Sequence, residues 1–176
     1  MSRIRRLAIV VSVIAALARV DVALAESAAP DNPAIDMVGF LRTSIEAAQH
    51  RSSRRVDEAR FIAMAAEPGT VVLDARSAER FGMLHVKGAI NLPFPDITIE
   101  SLARLLPDKQ TRILIYCNNN FRGAEGPFPS KLPSASLNLS TYVTLFTYGY
   151  RNVFELADLL DPSASRLDLV SGPDQK

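Results

Sequence analysis

The sequence has one cysteine, Cys117, no tryptophan, and two histidines, His50 and His85. A lone thiol excludes an intrachain disulfide framework, and with two histidines it leaves too few ligands for a Cys/His zinc centre. No metal or other cofactor is expected. A charge surplus is also missing. Twenty basic and 19 acidic residues give a net charge of +1, too little to neutralise a phosphate backbone, so no nucleic-acid partner is expected. With 48% hydrophobic and 22% charged residues over 176 positions, the chain is neither disordered, collagen-like nor a polytopic membrane protein. A thiol that stands alone is buried filler, an intermolecular link or a nucleophile.

Residues 1–25 read as a secretory signal peptide. Arg3, Arg5 and Arg6 form a basic start, Leu7 to Ala18 is an uncharged run of 12 residues, and Ala23-Leu24-Ala25 is a small-x-small cleavage site before Glu26. That run falls short of the roughly 20 residues of a spanning helix. The expected product is therefore secreted or periplasmic, without stable membrane insertion after cleavage. An uncleaved N-terminal anchor is the alternative. Removing the segment leaves 16 basic and 18 acidic residues, a slightly acidic exported chain with one free thiol. Exported cysteines usually come in pairs.

The remainder divides into a linker and helical extension (26–55), a main domain (56–160) and a polar tail (161–176). From Ala34 the spacing of Val38, Leu41 and Ile45 predicts a helix. Arg51 to Arg55 is a polar break, and Asp57 is a candidate cap for a second helix through Phe61, Ile62 and Met64. Thr70 to Asp74 is a β-branched run suited to a strand buried on both faces. Ser77 caps a short helix, Ala89 to Leu92 is a short strand, and Glu100 to Leu106 is helical. Arg112 to Tyr116 is the clearest strand and runs directly into Cys117. Leu137 to Tyr148 reads as a helix stopped by Gly149, and Asn152 to Leu156 as a last strand. Alternating strands and helices predict an α/β fold, an open parallel sheet covered by helices on both faces.

A cysteine at the C-terminal end of a buried strand sits where α/β proteins bind ligands. Asn118, Asn119, Asn120, Phe121 and Arg122 follow it. Asparagine tolerates left-handed backbone angles, so this run suits a tight curl whose amides turn inward and hold an anion. A thiolate placed there is stabilised and becomes a nucleophile near neutral pH, with Arg122 closing the ring. The same spacing also fits a buried structural cysteine followed by a polar turn.

Three segments bear on that choice: Val71-Val72-Leu73-Asp74-Ala75-Arg76, His85-Val86-Lys87-Gly88-Ala89-Ile90-Asn91-Leu92-Pro93, and Ile113-Leu114-Ile115-Tyr116-Cys117. Together they resemble the rhodanese (thiosulfate sulfurtransferase) homology domain, with its D-x-R strand end, its H-[IV]-x-G-A stretch leading to a proline, and its strand ending in the active-site cysteine. Tyr148-Gly149-Tyr150-Arg151-Asn152-Val153 is similar to the family's G-[FY]-x-x-V element. The resemblance implies a sulfur relay. Cys117 would take the outer sulfur of a small sulfur-containing anion such as thiosulfate, become a persulfide, and pass the sulfur to a thiol or cyanide. Asn118 to Arg122 would hold the substrate, and Asp74, Arg76 and His85 would support the loops.

The chain departs from the family pattern in three places. Asn120 and Gly123 stand where members carry Gly and a small Ser or Ala. The Gly-Gly after the last strand is replaced by Ala157-Asp158. A Pro-rich stretch from Gly123 to Ser134 interrupts the run from the active-site loop into its helix. That stretch is a lid, a docking surface for a protein partner, or a tolerated surface loop. Asp74 and Arg76 read as an internal ion pair, His85 as structural, and His50 as exposed. Lys87 nears the site only if the loops fold inward. A Cys-dependent phosphatase would read H-C-x5-R, whereas Tyr116 precedes Cys117 and Arg122 comes one residue early. A thiol–disulfide oxidoreductase would need a second cysteine. A non-catalytic binding or persulfide-carrier module remains the other class.

Overall fold

A computed structural model of the protein describes residues 32–172. The expected signal peptide lies outside the described residues. The chain divides into two compact units, Met1–Asp36 and Met37–Lys176. In the first, residues 32–36 form a turn in which the Ala34 amide donates to Asn32 Oδ1 at 2.9 Å.

The second unit is built on the two strands that are most apolar in sequence. β2 (Thr70–Asp74) and β5 (Arg112–Tyr116) pair in parallel along their whole length, from Thr70↔Arg112 to Asp74↔Tyr116. β5 also pairs with β6 (Val153–Leu156), β6 with β1 (Arg55–Val56), and β2 with β4 (Ile90–Asn91). The result is a five-stranded parallel sheet in the order β1-β6-β5-β2-β4. Alternation along β5 sends Ile113 and Ile115 to one face and Leu114 and Tyr116 to the other. Ile113, Leu114 and Ile115 are each 0% exposed, and such burial stabilises by about 1.5–3 kcal/mol per aliphatic side chain.

Helices cover both faces, as the alternation of elements predicts. α1 (Met37–Arg51), α4 (Ile99–Leu105) and α5 (Leu137–Thr147) lie over the Ile113 face, where Ala47, Leu102, Tyr142 and Leu145 join the core. α2 (Glu58–Ala65) and α3 (Ala78–Met83) cover the other face with Phe61, Met64 and Phe81. Asp57 and Ser77 cap α2 and α3 as expected, accepting from the Arg60 and Arg80 amides. Gly149, at φ +91°, ends α5 in a conformation that side chains with a Cβ rarely adopt.

Three features differ from the sequence expectations. The periodic residues of α1 face outward: Val38, Leu41 and Ile45 are 38%, 46% and 62% exposed, and the helix seats itself through Ala47 and His50. The polar break ends in an edge strand, β1, too short to show as a hydrophobic run. The stretch after Asp161, expected as a polar tail, packs back on the domain. There β7 (Leu169–Val170) pairs antiparallel with β3 (His85–Val86), and Leu167 is buried.

Candidate active site

β5 delivers Cys117 to the C-terminal edge of the sheet, where its side chain is 1% exposed. The loop that follows is not the inward ring of amides expected from the sequence. Residues Asn118–Asn120 form a 3-10 turn in which Asn120 N donates to Cys117 O at 3.1 Å and Phe121 N to Asn118 O at 3.1 Å. Arg122 N donates to Leu160 O at 2.9 Å, so the chain leaves the turn along a partner segment instead of curling back. Among the described residues only glycines have positive φ, so the asparagines do not adopt left-handed backbone angles.

The three asparagines act through their side chains. Asn120 is buried and makes four bonds. Its Oδ1 accepts from Cys117 N at 2.9 Å and Asn138 Nδ2 at 3.0 Å, and its Nδ2 donates to Leu156 O at 2.8 Å and Asp158 O at 3.1 Å. That carboxamide ties the cysteine backbone to the end of β6 and to the first turn of α5. Asn118 Nδ2 donates to Pro129 O at 2.7 Å, and Asn119 Nδ2 to Lys131 O at 2.8 Å. Both therefore clamp the Gly123–Ser134 stretch.

That stretch is anchored at further points. Phe128 is 1% exposed and stacks on Phe121 with ring centroids 4.1 Å apart. The Arg76 guanidinium lies 4.4 Å from the Phe128 ring centroid and donates to Pro127 O at 2.9 Å, while Arg80 donates to Gly126 O. Of the three sequence readings of this segment, the tolerated surface loop does not account for the burial of Phe128, although most of the segment's other residues are exposed. The segment forms part of the second core face and one wall of the cysteine pocket.

The segment also brings Ser136 to the thiol. Ser136 precedes α5, but its side chain makes no capping bond to it, and its Oγ lies 3.4 Å from Cys117 Sγ. The amino end of α5, with its partial positive charge, thus borders the sulfur. Cys117 opens onto a cavity of about 420 Å³ whose lining includes Arg51, Arg55, Arg122, Lys131, Asn138 and Glu155. Arg55, Arg122 and Lys131 are exposed at the rim. The Arg122 charge lies near Asp161, whose carboxyl is held below its ordinary value chiefly by hydrogen bonds from Ser163, with Arg122 adding to them.

Asp74, Arg76 and His85 lie beneath the loops. Arg76 Nε bonds both Asp74 oxygens at 2.9 and 3.1 Å, and Tyr116 Oη donates to Asp74 Oδ2 at 2.5 Å. Arg76 also donates to Leu84 O at 2.9 Å, and the Val86 amide to Tyr116 Oη at 3.0 Å. Burial first, then the Asp74 carboxylate, pushes the Tyr116 phenol well above its ordinary value, so it stays a neutral donor. His85 Nδ1 lies 2.8 Å from Phe81 O, with its ring stacked on Phe81. Lys87 is not among the residues lining the cysteine pocket and pairs with Asp168 at 2.9 Å. His50, expected to be exposed, is half-buried, with Nδ1 2.8 Å from the Tyr142 hydroxyl and its ring against Phe146.

Sequence reasoning missed Ser136, Asn138, Lys131, Arg51, Arg55 and Glu155 as pocket residues. A serine just before a helical run is a recognisable start signal and would have drawn attention to Ser136. Nothing local marks the others.

A segment of 46 residues is 39% identical to thiosulfate sulfurtransferase PspE of Escherichia coli K12, covering 26% of this chain and 43% of that protein. The chain thus matches less than half the length of that relative. Among solved structures, a rhodanese with anions from E. coli is 26% identical, with a TM-score of 0.40 over 58% of this chain and 99% of that one. The rhodanese-like domain of an Anabaena protein is 20% identical, with a TM-score of 0.47 over 67% and 79%. The family model for the rhodanese-like domain matches residues 57–158, from the cap of α2 to just beyond β6; this is more than half of the sequence, and the chain belongs to that family.

Proposed function

We propose that the protein is an exported sulfurtransferase that carries sulfane sulfur on Cys117. What supports this most is the setting of the thiol, at the end of β5, 3.4 Å from the Ser136 hydroxyl, in a cavity rimmed by cations. The family and the PspE match favour sulfur transfer as the chemistry. In the first step the Cys117 thiolate attacks the outer sulfur of a thiosulfate-like donor. A new S–S bond forms, the donor's S–S bond breaks, and its electron pair leaves with sulfite. In the second step a thiolate or cyanide attacks the terminal sulfur. The Cys117 thiolate departs with the bonding pair, and the acceptor leaves as a persulfide or thiocyanate. No oxidant and no second cysteine are required. Ser136 can donate to the Cys117 sulfur, and the rim cations attract the donor.

Mass spectrometry after thiosulfate treatment tests the first step. One added sulfur on Cys117, absent in Cys117→Ser, is expected, with release of sulfite. Loading without onward transfer to cyanide or any thiol would instead make the protein a persulfide carrier. Export rests on residues 1–25, and among the described residues no helix is long and apolar enough to cross a membrane. The N-terminus of the exported protein should be Glu26, and an intact Met1 in a membrane fraction would refute cleavage.

A further inference from the structure

Glu155 is a carboxylate, 5% exposed, on the strand beside the one that ends in Cys117, and both residues line the same cavity. A negative charge on the wall of the cavity that holds the thiol works against a site meant to receive anions, because like charges in a partly buried pocket repel. Its compensation comes from outside the family-matched segment 57–158. Arg51, the last residue of α1, points both Nε and Nη2 at the two Glu155 oxygens, the Nη2–Oε1 contact being 2.7 Å. This is the two-pronged geometry that guanidinium supplies and an ammonium does not.

Other contacts also anchor α1. Ala47 is fully buried in the core, and His50 packs on Tyr142 and Phe146. The other cations at the cavity, Arg55, Arg122 and Lys131, are exposed, where water and salt screen them. Arg51 and Glu155 meet at the half-buried wall, where a charge acts with less screening.

We infer that Arg51 is a specificity-determining residue of the Cys117 pocket, and that by cancelling the Glu155 charge it admits sulfur donors and acceptors that carry negative charge. The helical extension is then part of the active site. This rests on Cys117 being the nucleophile, but the test below reads the thiol itself and does not need sulfur transfer to occur.

Alkylation of Cys117 by iodoacetate, an anion, and by iodoacetamide, its neutral analogue, reports the local potential as a ratio of rates. The full chain and its Arg51→Ala, Glu155→Gln and Arg51→Ala/Glu155→Gln variants are compared at low salt and one fixed pH. Arg51→Ala should lower the iodoacetate-to-iodoacetamide ratio about tenfold, the effect of one charge acting across a partly wetted pocket. The double variant should return the ratio to the parent value, Glu155→Gln alone should raise it, and added salt should compress all differences. An unchanged ratio in Arg51→Ala, an equal change for both reagents, or a double variant as poor as the single one would each overturn the inference. Should Arg51→Ala fail to fold, Glu155→Gln decides alone, since a ratio no higher than the parent's refutes it. A parent protein that shows this pattern yet transfers no sulfur would sink the sulfurtransferase proposal and leave the electrostatic one standing.

Discussion

Replacing Phe128 with alanine asks whether the segment 123–134 is part of the fold or an ornament on it. Phe128 is 1% exposed, stacks on Phe121 at 4.1 Å, and carries the Arg76 guanidinium 4.4 Å above its ring. Truncating a buried phenylalanine costs about 3–5 kcal/mol through lost transfer energy and the cavity left behind. The upper half of that range applies, because the neighbours cannot collapse freely. Arg76 is fixed by Asp74 and by the Leu84 carbonyl, and Phe121 by its bridge to Leu160. Against a total stability of about 5–15 kcal/mol, Phe128→Ala should remove roughly a quarter or more. At about 2–4 °C per kcal/mol for a domain of this size, the melting temperature should drop by roughly 10–15 °C. Thermal and urea unfolding of parent and variant measure this directly. A loss below about 1 kcal/mol, the range of surface substitutions, would mean that the aromatic is dispensable and the segment only rests on the domain.

Other perturbations separate the remaining roles. Asn120→Ala leaves the Leu156 and Asp158 carbonyls, the Cys117 amide and the Asn138 carboxamide without this partner, so urea unfolding should show a loss of about 3 kcal/mol or more. Cys117 alkylation should change with it, and a stable variant with parental thiol reactivity would contradict the clamp. Arg122→Ala should slow transfer from thiosulfate by less than about tenfold, because the side chain is exposed at the rim and screened; a much larger loss would place it on the reacting sulfur. Burial first, then the Arg54 and Arg151 charges, lowers the His50 imidazole from its ordinary value of 6.5. The unfolded chain therefore binds that proton more readily, and stability should fall as pH drops through about 6.5 toward the lower native value. His50→Gln should flatten the melting temperature in that window, and an unchanged slope would assign it to other groups.

How much of this was readable beforehand depends on sequence distance. β5 showed because five residues in a row are apolar or aliphatic-stemmed and end at the cysteine, and α2 and α3 showed because Asp57 and Ser77 sit at cap spacing from their helices. The Asp74–Arg76 pair lies two positions apart at a strand end, within reach of local reasoning. The Arg51–Glu155 pair spans 104 positions, and nothing near either residue announces the other. The asparagine run was visible, but its use was not. Backbone tolerance and side-chain bonding are both properties of asparagine, and only the positions of the Leu156, Pro129 and Lys131 carbonyls decide between them. β7 escaped notice because two apolar residues among polar neighbours carry no period.

The cysteine pocket draws its walls from residues 51–55, 117–122, 130–139 and 155–159, spread across most of the described chain. Contacts this distant in sequence close late in folding. Until the last of these segments docks, Cys117 is therefore more accessible than in the finished chain. Mispairing with a foreign thiol is then a greater hazard for the newborn chain than for the finished one. In the finished chain only 1% of the residue remains in contact with solvent. Maturation time therefore bears on how much of the protein arrives with its sulfur intact.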